Sequence, residues 1–171
     1  MPPPPGLLGR AWKAKSAKML RDNGIEGVGA GMENDVQGWF ASCRSGDLVG
    51  MEETLDAPDC PIKIDHTDEG GHTGFFLACL EQQIRAARLM KNRGADVEFA
   101  DATGTTPFWA AAEAGNLGVV KFLHEQCSVA TETPIANGAT PLHAACHQGH
   151  VDVVKYLVEQ VGVNTHTQVR H

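Results

Sequence analysis

Residues 138–157 read GATPLHAACHQGHVDVVKYL, and residues 104–123 read GTTPFWAAAEAGNLGVVKFL. Laid over one another at an offset of 34 residues, they agree at ten of twenty positions: a Gly, Thr-Pro, Ala-Ala, a Gly, Val-Val-Lys and a Leu. Self-similarity at a period of this length marks stacked supersecondary units, each too small to bury its apolar face alone. The core of such a chain has to lie between copies.

Each copy spells two short helices. Thr140 is placed to accept a backbone N–H as N-cap, and Pro141 at the first helical position has no N–H to leave unsatisfied. Leu142, Ala145 and Cys146 then recur at three- and four-residue spacing, and Gly149 supplies a left-handed stop. A second helix follows at once, with Val151, Val154, Leu157 and Val158 predicted as its apolar stripe and Asp152 and Lys155 on the wet side. Helices of this length are marginal in isolation, so they must pack on each other and on neighbours.

The segment Thr140-Pro141-Leu142-His143-Ala144-Ala145 and the 34-residue period resemble the ankyrin-repeat family. The resemblance implies an all-α solenoid of about four helix-turn-helix repeats joined by short hairpin loops, over residues 35–162. Residues 1–34 would be a tail and linker outside the fold, and 163–171 a C-terminal tail. Towards the N-terminus the pattern weakens. In the first repeat Trp39, Phe40, Ala41, Ser42 and Cys43 fill the Leu-His-x-Ala-Ala slots, while Gln37 and Gly38 replace Thr-Pro. In the second, Gly74 stands where proline belongs and Gln82 where the turn glycine belongs. Gln82 must therefore adopt a left-handed conformation, at a cost of roughly 1–2 kcal/mol, or the helix must shift. Position for position, Trp39, Phe75, Phe108 and Leu142 are expected to be buried. The residues after them, Phe40, Phe76, Trp109 and His143, would form an aromatic column that gives up the hydrogen bonds of the family histidine in three of four repeats. One extra residue and Pro134 within 129–137 predict an irregular third-to-fourth hairpin.

Charge is unevenly placed. Residues 1–21 hold five bases and no acid, leaving nine bases against 21 acids in the remainder. An acidic body repels phosphate backbones, so the repeats are not expected to bind nucleic acid. Four prolines at 2–5 favour extended polyproline geometry, and the basic stretch after them has the character of a disordered tail, a weak organelle-targeting peptide or an arm for an acidic surface. The Gly-rich run 23–32 reads as a linker, because its glycines lack both the spacing and the preceding strand of a dinucleotide loop. No apolar run is long enough for a membrane span, and a cytoplasmic location is expected.

Cys43, Cys79 and Cys146 share one repeat position, held by Ala112 in the third repeat. Stacked helices put equivalent atoms roughly 8–10 Å apart, beyond the ~7 Å limit for a disulfide, so all three are expected as reduced, buried packing residues. Cys60, in a longer connector, is expected to be the most exposed thiol. His143, Cys146, His147 and His150 form a soft ligand set that would suit zinc, but repeat packing and turns already account for the residues, and neither metal nor cofactor is expected. No catalytic motif stands out; Glu52, Glu53, Asp68 and Glu69 read as solvated surface.

What the resemblance implies about function is non-enzymatic recognition, as an adaptor or regulatory subunit. The rival expectations are a self-assembling repeat module, through the apolar last repeat, or the non-catalytic fragment of a larger enzyme. Partner contacts carried over from the family fall on first-helix ends, at Arg44, Leu80, Glu81, Glu113, His147 and Gln148. On the hairpins they fall at Glu69, His72, Thr103, Thr105 and Asn137. Glu69, Glu81 and Glu113 would make the centre of this face acidic, which predicts a partner with a basic patch.

Overall fold

The structure is a computed structural model that describes residues 29–57 and 62–163, with residues 29–35 as backbone only. Two units are distinguished, Met1–Gly38 and Trp39–His171. Of the first, the described part is the opening of helix α1 (Gly29–Ser45). That helix runs through 29–32, read from sequence as linker, and so begins six residues ahead of the expected boundary at Asp35. Helical glycines are tolerated at about 1 kcal/mol each relative to alanine, and composition alone misplaced this start. The readings made for residues 1–28 and for Cys60 lie outside the described residues.

In the second unit the end of α1 is followed by α2 (Leu48–Leu55), α3 (Gly74–Leu80), α4 (Ile84–Asn92), α5 (Pro107–Glu113), α6 (Leu117–Phe122), α7 (Pro141–Gln148) and α8 (Val151–Tyr156). Wider π-type turns, Leu123–Cys127 and Leu157–Val161, extend α6 and α8. Among the described residues there is no strand, only an isolated antiparallel bridge between Thr67 and Thr73. Helices pair as hairpins, α3 with α4, α5 with α6 and α7 with α8, and the first helices α3, α5 and α7 stack in that order.

The predicted start signal operates three times. Thr73, Thr106 and Thr140 are extended and buried, and their hydroxyls accept the backbone N–H of Phe76, Trp109 and His143. The stop is equally regular. Gly46, Gln82, Gly115 and Gly149 all have positive φ, so Gln82 takes the left-handed conformation at 59° rather than shifting the helix. The second helices of repeats two to four exit through left-handed residues too, at Gly94, Ser128 and Gly162. Ser128 is a second strained non-glycine site that the sequence reading missed.

The core fills the joints between repeats. Trp39, Phe75 and Phe108 are at most 1% exposed, with Met51, Met90, Leu123 and Leu157 from the second helices at 0%. Gly74 explains its own departure from the pattern. A Cβ there would lie 2.8 Å from Cys43 Sγ, 2.8 Å from Met90 Cε and 3.1 Å from Trp39 Nε1. The space a proline ring takes elsewhere is used by a tryptophan in the preceding repeat.

Three packing expectations need correction, all in the last repeat. Leu142 is half-buried and Cys146 exposed, although the equivalent Ala112 is at 0%. In α8 and the turn that extends it the buried side chains are Val153, Tyr156 and Leu157, whereas Val154 is half-buried and Val151 and Val158 are 59% and 39% exposed. For Leu142 and Cys146 the cause is cover: their counterparts Phe108 and Ala112 are at most 1% exposed with a repeat following, and no hairpin follows the last repeat among the described residues. Leu117 and His124, the counterparts of Val151 and Val158, are only half-buried even with a repeat after them. The third-to-fourth hairpin is also more regular than expected. Ile135 N–H donates to Ala139 O at 3.0 Å, the closing bond made by Asp101 to Thr105 and by Asp68 to His72. The extra residue and Pro134 are accommodated before this tip.

Candidate protein-recognition surface

The surface begins with what holds the hairpin tips. Asp68 accepts the N–H groups of Gly70 and His72, both at 2.9 Å. Asp101 accepts those of Thr103 and Thr105, at 2.8 and 2.9 Å, and the Thr103 hydroxyl at 2.7 Å. A carboxylate two and four residues ahead of these N–H groups satisfies donors that the turn would otherwise leave open. In the fourth hairpin Ile135 cannot do this, and Asn137 Oδ1 caps Ala139 N–H instead. Asp68 is therefore not the solvated surface group expected from sequence. The spacing Asp-x-x-Gly before each threonine, at Asp68-Glu69-Gly70-Gly71 and Asp101-Ala102-Thr103-Gly104, was the available signal.

His72 sits between the two carboxylates, Nδ1 3.2 Å from Asp68 and Nε2 3.8 Å from Asp101, and its ring stacks on Phe76 with centroids 4.8 Å apart. Arg44 reaches Asp68 from the first repeat at 3.5 Å. Burial alone would raise the carboxyls of Asp68 and Asp101. The backbone N–H groups of their turns, the Thr103 hydroxyl on Asp101 and the imidazole of His72 outweigh it and hold both below the usual aspartate value.

Beneath the tips, Phe40, Phe76 and Trp109 are buried as the expected aromatic column, and His143 is half-buried at its end. The column does not forgo hydrogen bonding. Trp109 Nε1–H donates to Ala139 O in the next hairpin at 3.0 Å. Phe40 stacks against His66 across 6.2 Å, as Phe76 does against His72. In the buried row behind the column, the Trp39 indole N–H has no partner among the described residues.

Of the predicted contact residues, Arg44, Glu69, Leu80, Glu81, Thr103, Glu113, Asn137, His147 and Gln148 are exposed, and His72 and Thr105 are half-buried. Leu80, Glu113 and His147 hold equivalent positions at the ends of α3, α5 and α7, and so form a row across three repeats. Leu80 is 41% exposed, an apolar side chain placed in the open next to Glu81 and Gln82. Not all eleven residues are free for a ligand. Arg44 and His72 are engaged by Asp68 and Asp101, and Thr103 and Thr105 share a hydroxyl hydrogen bond of 2.7 Å.

The histidine and cysteine set of the last repeat does not converge on a point. His143 Nδ1 turns back to Thr140, 2.8 Å from its hydroxyl, and His150 Nε2 meets Glu113 O at 2.8 Å. Cys43 and Cys79 are buried in apolar surroundings; burial pushes the Cys43 thiol up to about 12 and raises that of Cys79 further. Thiols in that state are protonated and unreactive at neutral pH. Among the described residues no helix is long and apolar enough to cross a membrane.

A stack of capped helical hairpins, with aromatic and aliphatic joints and side chains presented in rows, defines a helical repeat protein. Residues 108–158 match the family model described as ankyrin repeats (many copies). This part of the chain is similar to ankyrin repeats, and members of that family are generally protein–protein interaction modules, typically without catalytic activity. No curated protein matches the chain.

Proposed function

We propose that this chain is a non-enzymatic adaptor or regulatory subunit that holds a partner protein against the first-helix ends and hairpin tips. The observation that carries this reading is the row Leu80, Glu113 and His147, with Glu81 and Gln148 beside it, exposed in register on three consecutive repeats. Hot spots of protein interfaces gather around an apolar anchor inside a polar rim, and Leu80 flanked by Glu81 and Glu113 has that composition. Glu69 at the second hairpin tip adds a third exposed acid, so the partner surface is basic around an apolar contact.

The test compares the wild type with a variant carrying Glu81→Arg, Glu113→Arg and His147→Ala in pull-downs from native lysate, over a salt series. A protein held by wild type, released as salt rises and absent from the variant at unchanged helicity is the expected result. Capture that is equal for both chains refutes this surface as the binding site. Capture that does not weaken with salt refutes the basic partner while leaving the surface in place.

A further inference from the structure

The hairpin tips of repeats two to four share one backbone plan, and the fourth departs from it in its side-chain chemistry. In each, a left-handed glycine closes the turn: Gly71, Gly104 and Gly138 have φ of 79°, 83° and 84°. Their N–H groups donate to the carbonyls three residues back, on Asp68, Asp101 and Ile135, at 3.0, 3.0 and 2.8 Å. A residue with a Cβ is strained in that conformation, so the turn itself demands the glycine. In the second and third tips the capping group is the carboxylate at the first place, Asp68 or Asp101, and the residues just ahead of the glycine are Gly70 and Thr103. The fourth tip has Ile135 at the first place, and its cap has moved to Asn137, whose Oδ1 accepts the Ala139 N–H at 2.9 Å. That move sets a side-chain amide immediately before the obligatory glycine.

An asparagine followed by glycine is prone to cyclise, because glycine has no side chain to obstruct the approach of its own nitrogen to the amide carbon. Asn137 is exposed, so water reaches it. In the closed tip two hydrogen bonds oppose the reaction. Gly138 N–H is given to Ile135 O, and the Asn137 amide oxygen is held by Ala139 N–H. Both must break before the ring closes. The fourth cap is one bond to a neutral amide, whereas Asp68 and Asp101 each accept two backbone N–H groups on an ionised carboxylate. Charge-assisted hydrogen bonds are roughly twice as strong as neutral ones, so the labile pair sits on the tip that opens most readily.

We infer that Asn137-Gly138 is a spontaneous modification site, gated by opening of the fourth tip, that converts this neutral tip into an acidic one. Gly138 N loses its proton to solvent base and attacks Asn137 Cγ. The Cγ–Nδ2 bond breaks, and the nitrogen takes up a proton and leaves as ammonia. Water then opens the cyclic imide. Hydrolysis of the bond between Gly138 N and Cγ leaves aspartate at 137; hydrolysis of the bond between Gly138 N and the Asn137 carbonyl carbon leaves isoaspartate. One water is consumed, one ammonia is released, and no oxidant takes part. The aspartate form keeps a cap on Ala139 N–H, now a carboxylate as in the other two tips. The isoaspartate form lengthens the main chain by one carbon and misplaces the cap. Either product adds a negative charge to the tip, in one direction only. The chemistry belongs to the chain alone and stands whether or not the recognition surface proposed above holds.

The test incubates the full chain at mildly alkaline pH and follows conversion at each asparagine by peptide-mapping mass spectrometry, with helicity measured in parallel. Asn92 and Asn116, followed by Arg93 and Leu117, are the internal references. Conversion at Asn137 is expected to run at least tenfold faster than at either reference in the folded chain, and several-fold slower than in the same chain unfolded in urea. Ile135→Asp, which restores the carboxylate of the other tips, should slow it several-fold. Conversion no faster than at Asn92 and Asn116 overturns the site. A rate that is the same folded and unfolded overturns the gate, and a rate unmoved by Ile135→Asp at unchanged helicity overturns the role given to the missing carboxylate.

Discussion

Gly74→Pro restores the Thr-Pro pair that opens α5 and α7, and on sequence grounds it ought to stabilise the protein. The backbone offers no objection. Thr73 is extended, as a residue before proline must be, and the first N–H of a helix needs no partner within it. Proline at such a site usually adds about 0.4–1 kcal/mol by restricting the unfolded chain. The side-chain environment reverses the sign. The first carbon of the ring would meet Cys43 Sγ and Met90 Cε at 2.8 Å and Trp39 Nε1 at 3.1 Å, all within a fully buried joint. Overpacking of this kind costs about 1–3 kcal/mol, so a net loss of roughly 1–2 kcal/mol is expected. At about 2–4 °C per kcal/mol for a chain of this size, the melting temperature falls by several degrees.

Of the three neighbours, Met90 presents the end of a flexible chain and can retreat, whereas the indole is rigid. Trp39→Phe installs the residue that Phe75 and Phe108 already provide ahead of Pro107 and Pro141, and it removes a buried N–H that has no acceptor among the described residues. In the Trp39→Phe background, Gly74→Pro should therefore be neutral or stabilising, which gives a coupling of about 1–3 kcal/mol between the two sites. Urea melts of the four proteins, compared by midpoint at unchanged slope, measure it. A Gly74→Pro protein as stable as wild type would refute the reasoning, and so would the same loss in both backgrounds.

Three further outcomes follow from backbone and charge. Gln82→Gly relieves a left-handed glutamine at φ 59° and should stabilise by up to about 1 kcal/mol, because the roughly 1–2 kcal/mol of relief is partly offset by glycine's greater unfolded freedom; a lower urea midpoint would contradict it. Gly115→Ala and Gly149→Ala carry the same left-handed penalty, but a Cβ at Gly115 lies 2.4 Å from the His150 ring and one at Gly149 meets nothing within 4 Å. The Gly115 variant should therefore lose about 1 kcal/mol more in urea melts, the scale of a displaced inter-repeat hydrogen bond. Asp101→Asn should cost on the order of 1 kcal/mol at neutral pH, as loss of a capping carboxylate does. The Asp101 carboxyl is held below 3.8 in the fold, so its contribution is complete above that value and is lost as pH falls through the lower folded value. The gap between wild type and variant should therefore begin to close only below 3.8 and vanish once pH has fallen below the lower folded value, and a gap that stays unchanged through the whole acid range in thermal melts would rule out the carboxylate as its source.

The helices were legible because their signals are local. Thr73, Thr106 and Thr140 cap their own third residues, and Gly46, Gly115 and Gly149 stop their own helices, so a short window of sequence contains both cause and effect. Even the strained turn at Gln82 was written in the sequence as an exception to a pattern. What could not be read was whatever depends on a residue a repeat away. Gly74 looks like a defect until Trp39 is placed over it, Asp68 looks solvated until the turn folds onto it, and Trp109 looks purely apolar until Ala139 O arrives to accept its N–H.

The misread burial in the last repeat shows the same division and bears on function. Periodicity assigns a side chain to a face of its helix, but only the neighbouring repeat decides whether that face is covered. Ala112 and Cys146 hold one slot and differ because α7 and α8 lie against the first and no hairpin follows the second among the described residues. A repeat protein therefore has two kinds of surface that its pattern cannot tell apart from core. One is the row of first-helix ends, where Leu80 is apolar and open although its equivalents Glu113 and His147 are polar. The other is the outer face of the last repeat, where Cys146 is open although its counterpart Ala112 is fully buried. The first departs from the repeat in composition and the second only in cover. Variants that discriminate them must change Glu81 and Glu113 in one case and Leu142 and Cys146 in the other, and the two sets of effects should be independent, because no described contact links those side chains.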